Sequence, residues 1–253
     1  MGVVTDKRGR CAYVSFSRPP LNVLNLELLS ELADHVRAVK EDTALDFLVL
    51  RGAGERAFSA GVDIADHTRE KVPAMLETVH SVMKDLLSLP QLTLAAVHGA
   101  CLGGGCELAS CCDLLLASDE SYFATPEIHV GCYPPVALAR FPSQIGYHRA
   151  AEMILTGKRL SAQEACAIGL VNRVVPRPDL EQALESLLDE LRAKSAAVVR
   201  LAVKGLRETA LQSFAPALKR SEEIYLNELL KTGDIEEGVK AFLEKRKPNW
   251  QHR

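Results

Sequence analysis

Three consecutive glycines, Gly103-Gly104-Gly105, sit between an apolar strand-like run and an apolar helix-like run, and a carboxylate, Glu107, follows two residues later. Adjacent glycines belong in a core-forming segment where the backbone takes positive φ or lets another molecule approach its N–H groups. A helix starting at these glycines would leave its first N–H groups unpaired and present the positive end of its dipole. Glu107, one turn in, would stand beside whatever those groups hold.

Familiar glycine loops do not fit. A dinucleotide fingerprint needs Gly-x-Gly-x-x-Gly after a strand, whereas the spacing from Gly99 is Gly-x-x-x-Gly-Gly-Gly. A phosphate loop needs Gly-Lys-Ser/Thr, and Cys106-Glu107 follows instead. Close strand–helix packing would account for one or two of the glycines, less readily for three, and gives Glu107 no role.

The net charge of −3 offers no basic face for nucleic acid. No apolar run approaches the ~20 residues of a membrane span, and the first residues lack the apolar segment of a secretion signal. The seven cysteines are an odd number without metal-ligand spacing, so no metal is expected. They read as small buried side chains in a reducing cytoplasm.

Periodicity predicts strands at 10–17, 47–51, 92–98, 114–118 and 121–124, with Pro19-Pro20 ending the first. It predicts helices from the Asn25 cap to about Lys40, over 74–89, and from Gly105 to about Cys112. Continuously apolar strands alternating with helices argue for an α/β core with covered sheets. From about Ala151 the chain reads as helical, over 150–157, 161–168, 179–208, 212–232 and 234–245, with one short strand at 171–175.

Two further segments share the logic of the glycine run. Phe58-Ser59-Ala60-Gly61-Val62-Asp63 is a second small-residue turn, able to aim one N–H at the oxygen held by the first; two such donors make an oxyanion hole. Thr125-Pro126-Glu127 sets another carboxylate after a proline turn. Spacing alone does not bring Glu107 and Glu127 together, and most glutamates are simply solvated.

In order along the chain, residues 57–63, 96–109, Cys112-Asp113, Pro126-Glu127-Ile128, 155–165, 169–172 and 242–248 resemble the crotonase (enoyl-CoA hydratase/isomerase) superfamily. The resemblance implies a spiral of ββα units over 1–192 holding the acyl-CoA site. It also implies a helical oligomerisation region over 193–253, a homotrimer or a hexamer of paired trimers, and no cofactor beyond the CoA carried by the substrate. By carry-over, Ala60 and Gly104 are the oxyanion-hole donors, and Glu107 and Glu127 the acid/base pair. Gly61, Val62, Asp63 and Gly103 border the acyl-CoA. Lys245 stands as a phosphate contact, with a solvated helix charge as the alternative.

In this family two glutamates imply hydration, whereas isomerases generally keep only the second. After Glu127, however, Pro134-Pro135-Val136-Ala137-Leu138-Ala139-Arg140 replaces the usual Pro-Gly-Ala-Gly-Gly-Thr-Gln. Pro135 and Val136 are expected to wall the acyl pocket with more bulk. The stretch resembles that of the cyclohexa-1,5-diene-1-carbonyl-CoA hydratases. The alternatives are a straight-chain enoyl-CoA hydratase, another acyl-CoA reaction on the same fold, and a non-enzymatic scaffold, for which little in the sequence speaks.

Overall fold

The computed structural model describes residues 1–252. Strands β1 (Gly2–Arg8) and β2 (Cys11–Ser17) form an antiparallel hairpin, followed by helix α1 (Leu26–Glu41). Asn25 starts α1 as expected, its side chain accepting from the Leu28 N–H at 3.1 Å. A ββα pattern then repeats. Strands β3 (Phe47–Gly52) and β4 (Ala57–Ser59) lead to α2 (Val72–Leu87). Strands β5 (Leu92–Val97) and β6 (Ala100–Leu102) lead to α3 (Gly104–Ser110). Strands β7 (Leu114–Ser118) and β8 (Tyr122–Ala124) lead through a 3₁₀ turn at Pro126–Val130 to α4 (Pro135–Ile145).

In each unit the first strand joins one sheet and the second joins another. The larger sheet has the order β1-β2-β3-β5-β7-β10, where β10 is Arg173–Val175. The smaller is β4-β6-β8-β9, where β9 is Leu160–Ser161. From β2 to β10 the larger sheet is parallel. Its strands are apolar on both faces because both are covered. Leu48 and Leu50 of β3 join the main core, while Phe47 and Val49 meet Leu184 and Leu188 of α7 (Leu180–Arg192). The α/β spiral is therefore present.

Helices α5 (Tyr147–Thr156) and α6 (Ala162–Ala167), then α7, α8 (Ala196–Ala210), α9 (Phe214–Asn227) and α10 (Gly233–Leu243), complete the chain. Arg207 of α8 is pinned between Asp113 and the carbonyls of Leu89 and Gln91, at the edge of the larger sheet. On the same helix Val198, Leu201 and Leu206 are exposed in the single chain.

Several expectations need correction. Strand β1 was not anticipated, because only Val3 of its seven residues is buried and it gives little apolar alternation. The strand expected at 92–98 is β5, but the short strand β6 that follows the turn at Gly99 was not anticipated. Helix α4 was also missed, although Pro135 is its first residue, where the absent N–H costs nothing. Pro142 inside it is the kind of residue that argues against a helix. The helix expected over 179–208 breaks at 193–195, where Ser195 is extended.

Six cysteines are buried and Cys166 is half-buried; none is in a disulfide among the described residues. No helix among those residues is long and apolar enough to cross a membrane.

Candidate active site

The glycines of the central run serve different ends. Gly99, at φ +58°, makes the turn from β5 to β6; a Cβ there would lie 2.2 Å from the Arg56 carbonyl oxygen. Gly103, at φ +52°, precedes α3, and a Cβ there would lie 2.5 Å from Glu127 Oε1. A Cβ on Gly104 would come 2.6 Å from Val62 Cγ2, and one on Gly105 would come 2.6 Å from Ser59 Cβ. Side chains here would displace Glu127 or the turn at 59–62. The run is glycine because two other segments of the site press against it.

That second turn corrects one assignment. Residues 60–63 lie along 21–24 and bond to it. The Ala60 N–H donates to the Leu21 carbonyl at 2.9 Å, the Leu24 N–H to Gly61 at 2.8 Å, and the Asp63 N–H to Leu24 at 3.0 Å. The Gly61 N–H donates to Ser59 Oγ at 3.1 Å. Ala60, expected as an oxyanion donor, is therefore already committed. The Val62 N–H has no acceptor among the described residues, and a Cβ on Gly104 would lie 3.5 Å from its nitrogen. Gly104 is the first residue of α3, so its N–H has no partner within the helix. The two open N–H groups beside each other belong to Val62 and Gly104. Sequence spacing could not show this, because the pairing with 21–24 decides it.

Asp63 turns away from this site. Its side chain accepts from the Ala65 N–H at 3.1 Å and pairs with Arg18 at 3.0 Å.

Glu107 is buried at 3% exposure, and its Oε1 accepts from the Ala137 N–H, in the first turn of α4, at 2.8 Å. Burial raises its carboxyl above the ordinary carboxylate range, while the N–H groups of Ala137 and Val136 act in the opposite sense. Helix α4 answers at its other side, where Arg140 Nε and Gln144 Nε2 donate to the Ser110 carbonyl at the end of α3. The two helices thus cap each other and fix the Glu107 side chain. Arg140, which stands where the family usually has glutamine, serves this cap.

Glu127 lies in the 3₁₀ turn, where its Oε2 is buried without a partner among the described residues. Burial raises its carboxyl, and the charge of Glu107 raises it further. The two carboxyls titrate as a pair, with protonation favoured over two adjacent charges.

Both glutamates line one cavity of about 350 Å³, together with Ala60, Gly61, Val62, Gly103 and Gly104. Pro134 and Pro135 contribute wall, as does Tyr133. Val136 does not: it is fully buried on the core side of α4, and Leu138 faces outward at 37% exposure. The bulk expected at Val136 is spent on core packing. Lys245 is exposed and outside the cavity, while its neighbour Arg246 lines it.

Sequence reasoning missed the lining supplied by α2 and the C-terminal helices. It comprises His80 of α2, Tyr225 of α9, and Gly238 and Phe242 of α10. The cavity is therefore not confined to residues 1–192. The only sequence signal was His80 among the apolar residues of α2, and core packing accounts for such a pattern equally well.

Comparison with known proteins identifies the family. Residues 6–253 match the sequence profile of the family described as enoyl-CoA hydratase/isomerase. The chain belongs to that family, the crotonase superfamily. It is 33% identical over 252 residues to a probable mitochondrial enoyl-CoA hydratase of Dictyostelium discoideum, covering 98% of this chain and 90% of that protein. It is 29% identical over 248 residues to the cyclohexa-1,5-dienecarbonyl-CoA hydratase of Thauera aromatica, covering 98% and 95%. The crystal structure of an enoyl-CoA hydratase from Mycobacterium avium subsp. paratuberculosis superposes with a TM-score of 0.90 at 28% identity, covering 99% of each chain.

Proposed function

We propose that this protein adds water across the conjugated double bond of an enoyl-CoA thioester. The observation that carries this reading is the meeting of two buried carboxyls, Glu107 and Glu127, in one cavity with the open N–H groups of Val62 and Gly104. With the thioester oxygen between those N–H groups, the β-carbon faces the carboxyls. A water between them loses a proton to one carboxylate, and its oxygen bonds to the β-carbon. The alkene electron pair moves to the thioester oxygen, where the two N–H groups stabilise the enolate. Collapse of the enolate takes a proton onto the α-carbon from the protonated carboxyl.

The environments favour a division of labour. The N–H groups of α4 stabilise the ionised form of Glu107, whereas Glu127 Oε2 has no such donor. Glu107 is the base toward water and Glu127 the acid toward carbon. With the Ala60 N–H bonded to Leu21, this reading takes Val62 as the second oxyanion donor.

The test is conversion of crotonyl-CoA in water enriched in heavy oxygen. Hydration puts the label on the β-carbon, while isomerisation or thioester cleavage leaves that carbon unlabelled. A cyclic dienoyl thioester is a second reading of the acyl group, favoured by the Thauera relative and by the Pro134-Pro135 wall. Faster turnover of cyclohexa-1,5-diene-1-carbonyl-CoA than of crotonyl-CoA would support it.

The exposed Val198, Leu201 and Leu206 of α8 suit burial against other copies of the chain, as a trimer or paired trimers within residues 193–253 would provide. The buried thiols suit a reducing cytoplasm.

A further inference from the structure

The acyl cavity is also lined by polar side chains of α2 and α9 that the hydration step does not use. His80 of α2 is 1% exposed, lines the cavity, and has no partner for Nε2 among the described residues. Its other nitrogen, Nδ1, lies 2.6 Å from Glu222 Oε1 of α9. That carboxylate is also 3.7 Å from Lys84 Nζ. A carboxylate can only accept, so Nδ1 carries the proton. Burial favours the neutral ring, outweighing the pull of Glu222. In that tautomer Nε2 is a lone-pair acceptor.

Tyr225, one helical turn beyond Glu222 on α9, supplies the complement. It is 1% exposed and lines the same cavity; its hydroxyl lies beside the Cys132 thiol and has no nitrogen or oxygen partner among the described residues. Burial raises its pKa, so the hydroxyl keeps its proton and can donate. Its ring is held edge-on by Tyr133 at a centroid distance of 5.0 Å, and Tyr133 is itself tied to the Ser221 carbonyl at 2.8 Å.

Buried polar groups are nearly always paired, and leaving one unpaired costs about 1–3 kcal/mol. Here one buried acceptor and one buried donor line the cavity that would hold the acyl chain. A hydrocarbon placed against them would strand both groups. A carbonyl could satisfy only the tyrosine, and a carboxylate would oppose the nearby glutamates. A hydroxyl donates and accepts at once.

We propose that His80 and Tyr225 form a subsite for a hydroxyl group on the acyl portion of the substrate. The preferred thioester is then a hydroxylated enoyl-CoA, with Glu222 acting as the positioning residue that fixes the His80 tautomer. This rests on the hydratase reading and differs from it by naming a substituent. It also differs from the cyclic diene, which carries no hydroxyl.

The experiment compares kcat/KM for plain 2-enoyl-CoA thioesters with the same chains carrying a terminal hydroxyl, and with cyclohexa-1,5-diene-1-carbonyl-CoA. At least one hydroxylated chain should exceed its plain counterpart by about tenfold or more, the worth of one good hydrogen bond. His80→Leu and Tyr225→Phe should each bring that ratio toward one, mainly through the KM of the hydroxylated substrate. Glu222→Ala should raise the same KM while moving that of the plain substrate less. His80→Gln serves where the leucine variant fails to fold.

Preference for the plain chains or the cyclic diene over every hydroxylated thioester would overturn the proposal. So would a ratio that survives both His80→Leu and Tyr225→Phe. Should no thioester be hydrated, the hydratase reading fails, and calorimetry still reads the subsite. A saturated hydroxyacyl-CoA should then bind the unmodified protein more tightly than the plain acyl-CoA, and equal affinities would overturn the subsite as well.

Discussion

The two walls of the cavity are built by different means. The first is main chain and carboxylate: the turns at 59–62 and 103–105 press together so closely that no side chain fits on the glycines between them, and the N–H groups of Val62 and Gly104 are left open side by side. Glu107 is held there by the start of α4, and Glu127 stands one Cβ's width from Gly103. The second wall is made of side chains from α2, α9 and α10, and its polar atoms, His80 Nε2 and the Tyr225 hydroxyl, point to substrate shape more than to chemistry. Backbone contacts are rigid and indifferent to the acyl group, which suits a step common to many thioesters. Side chains can be exchanged without disturbing that step, which suits a choice of acyl group.

The largest effects should come from the first wall. Replacing the Val62 peptide N–H by an ester oxygen removes one donor without changing shape, and kcat should fall about 10²- to 10³-fold. The same change at Ala60 breaks a bond to Leu21 and should cost about 1 kcal/mol of stability, with a far smaller loss of rate. Equal losses of rate at the two positions would break the assignment of Val62.

Gly103→Ala comes next. It forces a side chain at φ +52° into Glu127 Oε1, with backbone strain of about 1–2 kcal/mol, and should reduce kcat about tenfold or more. Steady-state kinetics beside a melting curve separates the two losses.

A smaller effect appears in stability against pH. Both carboxyls have folded-state pKa values above the ordinary 4.5, so the folded protein holds more protons than the unfolded one as pH rises from there. Their contribution is fully present below that value and is lost as pH climbs through the raised range. Glu127→Gln removes one partner, so its stability relative to the parent should improve from acid toward mildly alkaline pH. Urea titrations across that range check the slope, and a constant difference would contradict the coupling.

The smallest effect lies behind the second wall, where Tyr133 is tied to α9. Tyr133→Phe frees the Ser221 carbonyl and should cost about 1 kcal/mol in the same titrations.

The first wall was largely legible in the sequence because its constraints are local. Three adjacent glycines, a proline turn before Glu127 and small residues at 59–61 each have a narrow range of uses. What escaped was their pairing: the bond from Ala60 to Leu21 joins segments 39 residues apart and reassigns the donor to Val62. The second wall was illegible. His80 and Tyr225 sit in amphipathic helices whose patterns account for them as core, and only the packing of α2 on α9 puts a carboxylate behind His80. Pro135 and Val136 show the same limit in reverse. Their place after Glu127 suggested two wall residues, yet helix α4 turns one into the cavity and the other into the core.

The central claim is that Glu107 and Glu127 act as one acid–base unit on water. Hydration of crotonyl-CoA by Glu107→Gln, Glu127→Gln and the double variant, followed through the loss of conjugated-thioester absorbance, tests it most directly. Each single change should lower kcat by about 10²- to 10⁴-fold, and the double change should fall little below the worse single one, because the residues work as a unit. Glu107→Gln retaining a rate within about threefold of the unmodified protein, far from the loss expected for a general base, would contradict the account.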